Sequence, residues 1–103
     1  MRWDDRASSA ASVHAHDIAA MGAVVHLGSD GSDGGQRLTR AGVSWSSWGE
    51  ALGAGFNEAR SLVDAWLASP GHRAVLFGSF TRVGAGVATS AGGTPYWALV
   101  ALT

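Results

Sequence analysis

Thr94-Pro95-Tyr96-Trp97-Ala98-Leu99-Val100-Ala101-Leu102 is the stretch that decides the architecture. In an extended chain successive side chains point to opposite faces. Tyr96, Ala98, Val100 and Leu102 therefore share one face, and Trp97, Leu99 and Ala101 share the other. Both faces are apolar. A strand with one face in water alternates apolar with polar residues, so this one is expected to be covered on both sides. Upstream, residues 80–88 also alternate, with Val83, Ala85 and Val87 on one face and Gly84 and Gly86 on the other. Ser90-Ala91-Gly92-Gly93-Thr94 between them reads as the turn of a β-hairpin. The two glycines leave room for a helix or loop to approach the sheet closely. Helices on both faces of a small antiparallel sheet make a three-layer α-β-α sandwich of the α+β class.

Two segments can supply those helices. Over residues 3–22, Ala7, Ala10, Ala11, His14, Ile18 and Met21 recur at spacings of three and four, which defines one buried stripe. Asp4 and Asp5 suit the helix start and Gly22 its end. His14 falls on the stripe and is expected to be a core histidine satisfied by a backbone partner. His16 points away, so the two cannot form a metal pair. The second helix is expected to be capped by Asn57, with Ala59, Leu62, Val63, Trp66 and Leu67 buried, and to end at Ser69-Pro70. Pro70 cannot continue a helix, so a new short segment starts there and carries His72 and Arg73 in its first turn.

Composition bounds the function. The hydrophobic fraction is 47% and the charged fraction 15%, as in a packed domain rather than a disordered tail. A net charge of -1 gives no electrostatic case for nucleic acid. Without cysteine there are no disulfides and no thiolate metal sites. No apolar run approaches the roughly 20 residues that span a bilayer. The opening Met-Arg-Trp-Asp-Asp is not a signal peptide, having no apolar core. One domain over residues 1–103 is expected, with no linker or repeat.

Between the helices lies a polar loop followed by a tryptophan-rich run. His26 follows two valines and precedes Gly28-Ser29-Asp30-Gly31-Ser32-Asp33, a turn-forming stretch. That stretch evokes a calcium loop, but position 41, where the twelfth-position glutamate belongs, is Ala41. A short helix is expected over residues 35–41, capped by Ser32 or Asp33 and ended by Gly42, with Arg37 and Arg40 on its polar side. Residues 43–56 read as an extended segment with tight bends. Within it Glu50 is an acid in an apolar run, whose burial would raise its pKa unless a cation or hydrogen-bond donors faced it.

Taken in order, these pieces resemble the CAP superfamily of cysteine-rich secretory, antigen 5 and pathogenesis-related 1 proteins, in its short bacterial form. The resemblance rests on His14-Ala15-His16-Asp17-Ile18-Ala19, on His26 before Asp30-Gly31-Ser32, and on Gly49-Glu50. It rests most specifically on Trp66-Leu67-Ala68-Ser69-Pro70-Gly71-His72-Arg73, with Val83-Gly84-Ala85-Gly86-Val87 and Tyr96-Trp97. It implies an α-β-α sandwich, here without the family's first helix, which would precede Trp3, so the chain is expected to be either clipped or read from a start downstream of the true one. It also implies an extracellular or cell-envelope location.

The resemblance further implies a central cavity able to hold zinc or another divalent cation, with His26, His72 and Glu50 as candidate ligands. Ser69 and Tyr96 stand where many members carry a second glutamate and a second histidine, and Arg73 is expected as a structural partner. Ala51, Val75 and Leu99 replace the polar residues usual near such a site. Two functions are implied. One is a secreted binding module for a lipid-like molecule, a glycan or a protein. The other is a zinc-dependent hydrolase with Glu50 as general base. The apolar replacements favour the binding module, because metal catalysis relies on ordered polar support around its ligands.

Overall fold

The computed structural model describes residues 2–69 and 79–103, with the side chains of Ala59, Val63 and Leu67 not among them. Its elements are β1 (Arg2–Trp3), α1 (Asp5–Met21), α2 (Gly34–Arg40), β2 (Trp48–Ala54), α3 (Ala59–Ala68), β3 (Arg82–Thr89) and β4 (Pro95–Leu102). The four strands form one sheet in the order β1-β3-β4-β2. β4 therefore lies in the interior, antiparallel to β2 (Glu50 opposite Val100) and to β3 (Gly84 opposite Val100). The sheet is antiparallel except at its edge, where Arg2 and Trp3 pair in parallel with Arg82 and Val83. Trp3, expected at the start of a helix, is thus a strand residue.

The double coverage expected of β4 is present. Tyr96, Ala98, Val100 and Leu102 share a core with Ala7, Ala10, Ala11, His14's neighbour Ala15, and Ile18 of α1. On the other face Trp97 and Leu99 pack with Ala51, Leu62 and Trp66. Helix α1 covers one side and α3 the other. Alanines on α1 meet glycines on β3, and this small-on-small contact brings the helix axis close to the sheet. A Cβ on Gly86 would stand 2.5 Å from Ser12 Cα, and one on Gly84 would fall on the backbone of Ala7 and Ser8.

Local sequence sets the ends of the elements. Asp4 caps α1 by accepting from the Ala7 amide at 2.9 Å, and Gly22 closes it at φ 67°. Asp33 and Gln36 form a reciprocal capping box at α2, and Gly42 follows at φ 82°. Met21, placed on the buried stripe by periodicity, is exposed. The residue before α3 is Glu58, with no side-chain cap, so Asn57 is not the cap expected. Ser69 ends α3, its amide bonded to the Trp66 carbonyl at 3.1 Å. The segment after Pro70, with His72 and Arg73, lies outside the described residues.

Candidate functional site

Strand alternation sends Glu50 to the same side of β2 as Leu52, toward the layer of α1 and α2. Its side chain is only 4% exposed, yet both oxygens are engaged. Oε2 accepts from Arg37 Nη2 at 2.7 Å and Oε1 accepts from His26 Nδ1 at 2.9 Å. The cation that a buried glutamate needs is therefore Arg37.

Arg37 itself corrects the sequence reading. Expected on the polar side of a short helix, it is 4% exposed and faces inward. The signal was present: Gly34, Arg37, Leu38 and Ala41 recur at spacings of three and four, and Gly34, Arg37 and Leu38 are buried. Seven residues are too few for that stripe to outweigh the expectation that an arginine is solvated. Beyond Glu50, Arg37 donates from Nη2 to the His26 carbonyl at 3.0 Å and from Nη1 to the Ser32 carbonyl at 2.7 Å. One guanidinium so ties both ends of the 26–32 loop to the sheet, in the fork geometry that lysine could not reproduce.

His14 completes the cluster from α1. It is fully buried, and its Nε2 donates to the Val25 carbonyl at 2.8 Å, the backbone partner expected from sequence. A carbonyl only accepts, so Nε2 carries the proton and Nδ1 is the bare nitrogen, buried without a partner among the described residues. Burial is the main force that pushes His14 below the ordinary histidine pKa. Glu50, whose Oε1 lies 3.9 Å away, opposes the shift, and Arg37 reinforces it.

His26 is the outward member. Its side chain is 63% exposed and it sits among exposed apolar residues, Val24, Val25 and Leu27. With Nδ1–H given to the carboxylate, neutral His26 keeps a free lone pair on Nε2. Three contacts fix the segment that presents it: His14 to the Val25 carbonyl, Arg37 to the His26 carbonyl, and Glu50 to the His26 ring. The other candidates fall elsewhere. Tyr96 is buried in the core beneath the end of α1, and Ser69 caps α3. His72 and Arg73 lie outside the described residues.

Two features bear on metal binding. Among the described residues no group of three His, Asp or Glu stands close enough to hold an ion. Of the proposed ligands among the described residues, Glu50 already accepts one hydrogen bond on each oxygen, and His26 Nε2 carries none. The aspartate-rich loop closes on itself instead. Asp30 accepts from the Ser32 amide at 2.9 Å and pairs with Arg40 at 2.6 Å, and Asp17 accepts from the amide and hydroxyl of Ser29. These bonds hold the Asp30 and Asp17 carboxyls below their usual range.

Comparison with known proteins places this geometry. The family model described as the cysteine-rich secretory protein family, CAP, matches residues 1–101. No curated protein sequence matches the chain. Among solved structures, an outer surface protein of Borrelia burgdorferi superposes with a TM-score of 0.89 at 21% identity, covering 100% of this chain and 77% of that one. An extracellular Bacillus anthracis protein containing an SCP domain gives 0.89 at 25% identity, over 99% of this chain and 33% of that one. A cysteine-rich secretory protein of Staphylococcus aureus gives 0.74 at 20% identity, over 99% and 31%. The chain thus spans about a third of the length of the latter two.

Proposed function

The chain belongs to the cysteine-rich secretory protein (CAP) family, and from that premise we propose that it serves as an extracellular binding module whose contact surface is centred on His26. The observation that carries this reading is the Glu50–His26 bond at 2.9 Å, which holds an exposed imidazole in one orientation. Its chain neighbours Val24, Val25 and Leu27 are exposed as well, so a fixed polar group lies on an apolar stretch of surface chain. Such a surface suits a lipid-like amphiphile, with an acid or hydroxyl on His26 Nε2 and its hydrocarbon on those apolar side chains. The location accords with two structural neighbours, an outer surface protein and an extracellular protein.

The test is titration with a fluorescent fatty acid and a fluorescent sterol. Saturable binding that His26→Ala and Leu27→Asp each weaken by about tenfold supports the reading. Binding that neither substitution changes would defeat it.

The second reading is the zinc-dependent hydrolase with His26, His72 and Glu50 at its centre. What favours it is the carboxylate behind Nδ1, the arrangement that orients a metal-binding histidine. What weighs against it is the same carboxylate, because both Glu50 oxygens already accept hydrogen bonds, from Arg37 and His26. Among the described residues no three His, Asp or Glu come together as a catalytic zinc requires. Calorimetry with zinc decides it. A stabilisation removed by both His26→Ala and His72→Ala would revive the metal, and ester or peptide cleavage unchanged by Glu50→Gln would exclude Glu50 as base.

A further inference from the structure

On a different face of the molecule, Trp45 walls a cleft of about 410 Å³ together with Asp33, Gln36, Thr39 and Arg40. The volume lies within the range of small-molecule sites. The indole is 38% exposed and is held rather than free. Its Nε1 donates to the Gly35 carbonyl and to Thr39 Oγ1, both at 3.1 Å. Gly35 lacks the Cβ that would stand 2.7 Å from Trp45 Cζ2, so the ring lies directly against the helix backbone. An aromatic with its polar edge satisfied inward offers its apolar surface outward at little entropic cost.

The rim carries preset hydrogen-bonding groups. Gln36 Oε1 accepts from the Asp33 amide at 2.9 Å, which fixes the side-chain amide and leaves both N–H bonds of Nε2 free among the described residues. Asp33 Oδ1 accepts from the Gln36 amide at 2.8 Å and leaves Oδ2 as a free acceptor. Arg40 uses Nη1 on Asp30 and keeps its other donors. Arg40 is already paired with Asp30, so among the described residues Asp33 is the uncompensated charge on the rim, which disfavours an anionic ligand and suits one with hydroxyls to donate. The same indole also walls a second cleft, of about 310 Å³, with Ser44, Ser46, Arg82 and Thr103.

We propose that Trp45 is the stacking platform of a binding site for a neutral oligosaccharide. A pyranose presents C–H bonds on its faces and hydroxyls around its edge. Stacked on the indole, it would receive hydrogen bonds from Gln36 and Arg40 and donate one to Asp33. The second cleft continues the surface past the ring, which suits a chain of sugars better than a monosaccharide. None of these groups belongs to the His26 surface.

The experiment is a titration of the isotope-labelled protein with chitotetraose, cellotetraose and maltotetraose at millimolar sugar, following the Trp45 indole N–H by NMR. A saturable shift of that signal with at least one sugar is expected. Trp45→Ala should weaken binding by about tenfold and Gln36→Ala by about threefold to fivefold. If Trp45→Ala does not fold, Gln36→Ala on the helix surface carries the test. The assignment is overturned by no saturable shift with any of the three sugars, by shifts confined to the His26 loop, or by binding that Gln36→Ala leaves unchanged.

Discussion

Arg37 and Glu50, thirteen residues apart in sequence, meet at 2.7 Å with each side chain 4% exposed. Helix α2 brings the cation and strand β2 the anion, and the pair closes the space between the two elements and the loop that carries His26. Removing two charges from water costs several kcal/mol, which the attraction offsets only when every remaining donor and acceptor is used. Here Glu50 also accepts from the His26 ring, and Arg37 also donates to the His26 and Ser32 carbonyls.

Breaking one half of the pair should therefore cost more than replacing both. Glu50→Ala leaves a buried guanidinium without its anion and should lose about 3–5 kcal/mol of stability. The double replacement Arg37→Met with Glu50→Leu should recover part of that loss, because it removes the unpaired charge but leaves the His26 and Ser32 carbonyls without their donor. Urea denaturation of the two variants and the parent protein gives the comparison, and a double variant as unstable as Glu50→Ala would contradict this.

Stability should fall in mild acid through His14. Its folded pKa lies below its ordinary value of 6.5, because burial favours the neutral ring. Below pH 6.5 the unfolded chain takes up a proton that the folded chain refuses. The unfolded state then binds more protons, and stability drops as pH falls from 6.5 toward the folded pKa. Above 6.5 the contribution is complete. His14→Gln, which can still donate to the Val25 carbonyl, should flatten that part of a Tm-against-pH curve. Asp4, Asp17 and Asp30, all held below their ordinary value of 3.8, add a separate loss on acidifying through and below that value.

Gly86→Ala and Gly84→Ala should each destabilise the fold by about 1–3 kcal/mol or more, since the obstacle is helix backbone and not a side chain that can turn away. Gly53→Ala meets side chains only, chiefly the end of Leu62 with Phe56 at an ordinary contact distance, and should cost less. Thermal melts of the three variants rank the effects, and a Gly53 variant weaker than both would refute the close helix–sheet approach.

Leu62→Ala tests the second layer. Leu62 is buried against Ala51, with Trp66, on the face of the sheet opposite α1. Truncation should cost about 2–5 kcal/mol. A loss below about 1 kcal/mol would mean that α3 contributes little to the fold.

Much of this architecture was legible in local pattern. The seventeen residues of α1 repeat often enough to declare their face, and the glycines of β3 and the two apolar faces of β4 announced what would cover them. Where the reading failed, the segment was short or its partner remote. Arg37 sits in a seven-residue helix, too brief for periodicity to overrule its charge. Asn57 looked like a cap, but tertiary packing began α3 two residues later. Glu50 was singled out as an acid in an apolar run, yet nothing near it in sequence identified its cation.

By itself, then, the sequence determined the layers, because hydrophobic period and glycine placement act over a few residues and need no knowledge of the rest of the chain. The family followed from the order of its motifs. Only the tertiary structure decided what Glu50 does. Its oxygens are claimed by residues 13 and 24 positions away, and such a pairing depends on how α2, the loop and β2 come together. That packing makes Glu50 the anchor of an exposed histidine.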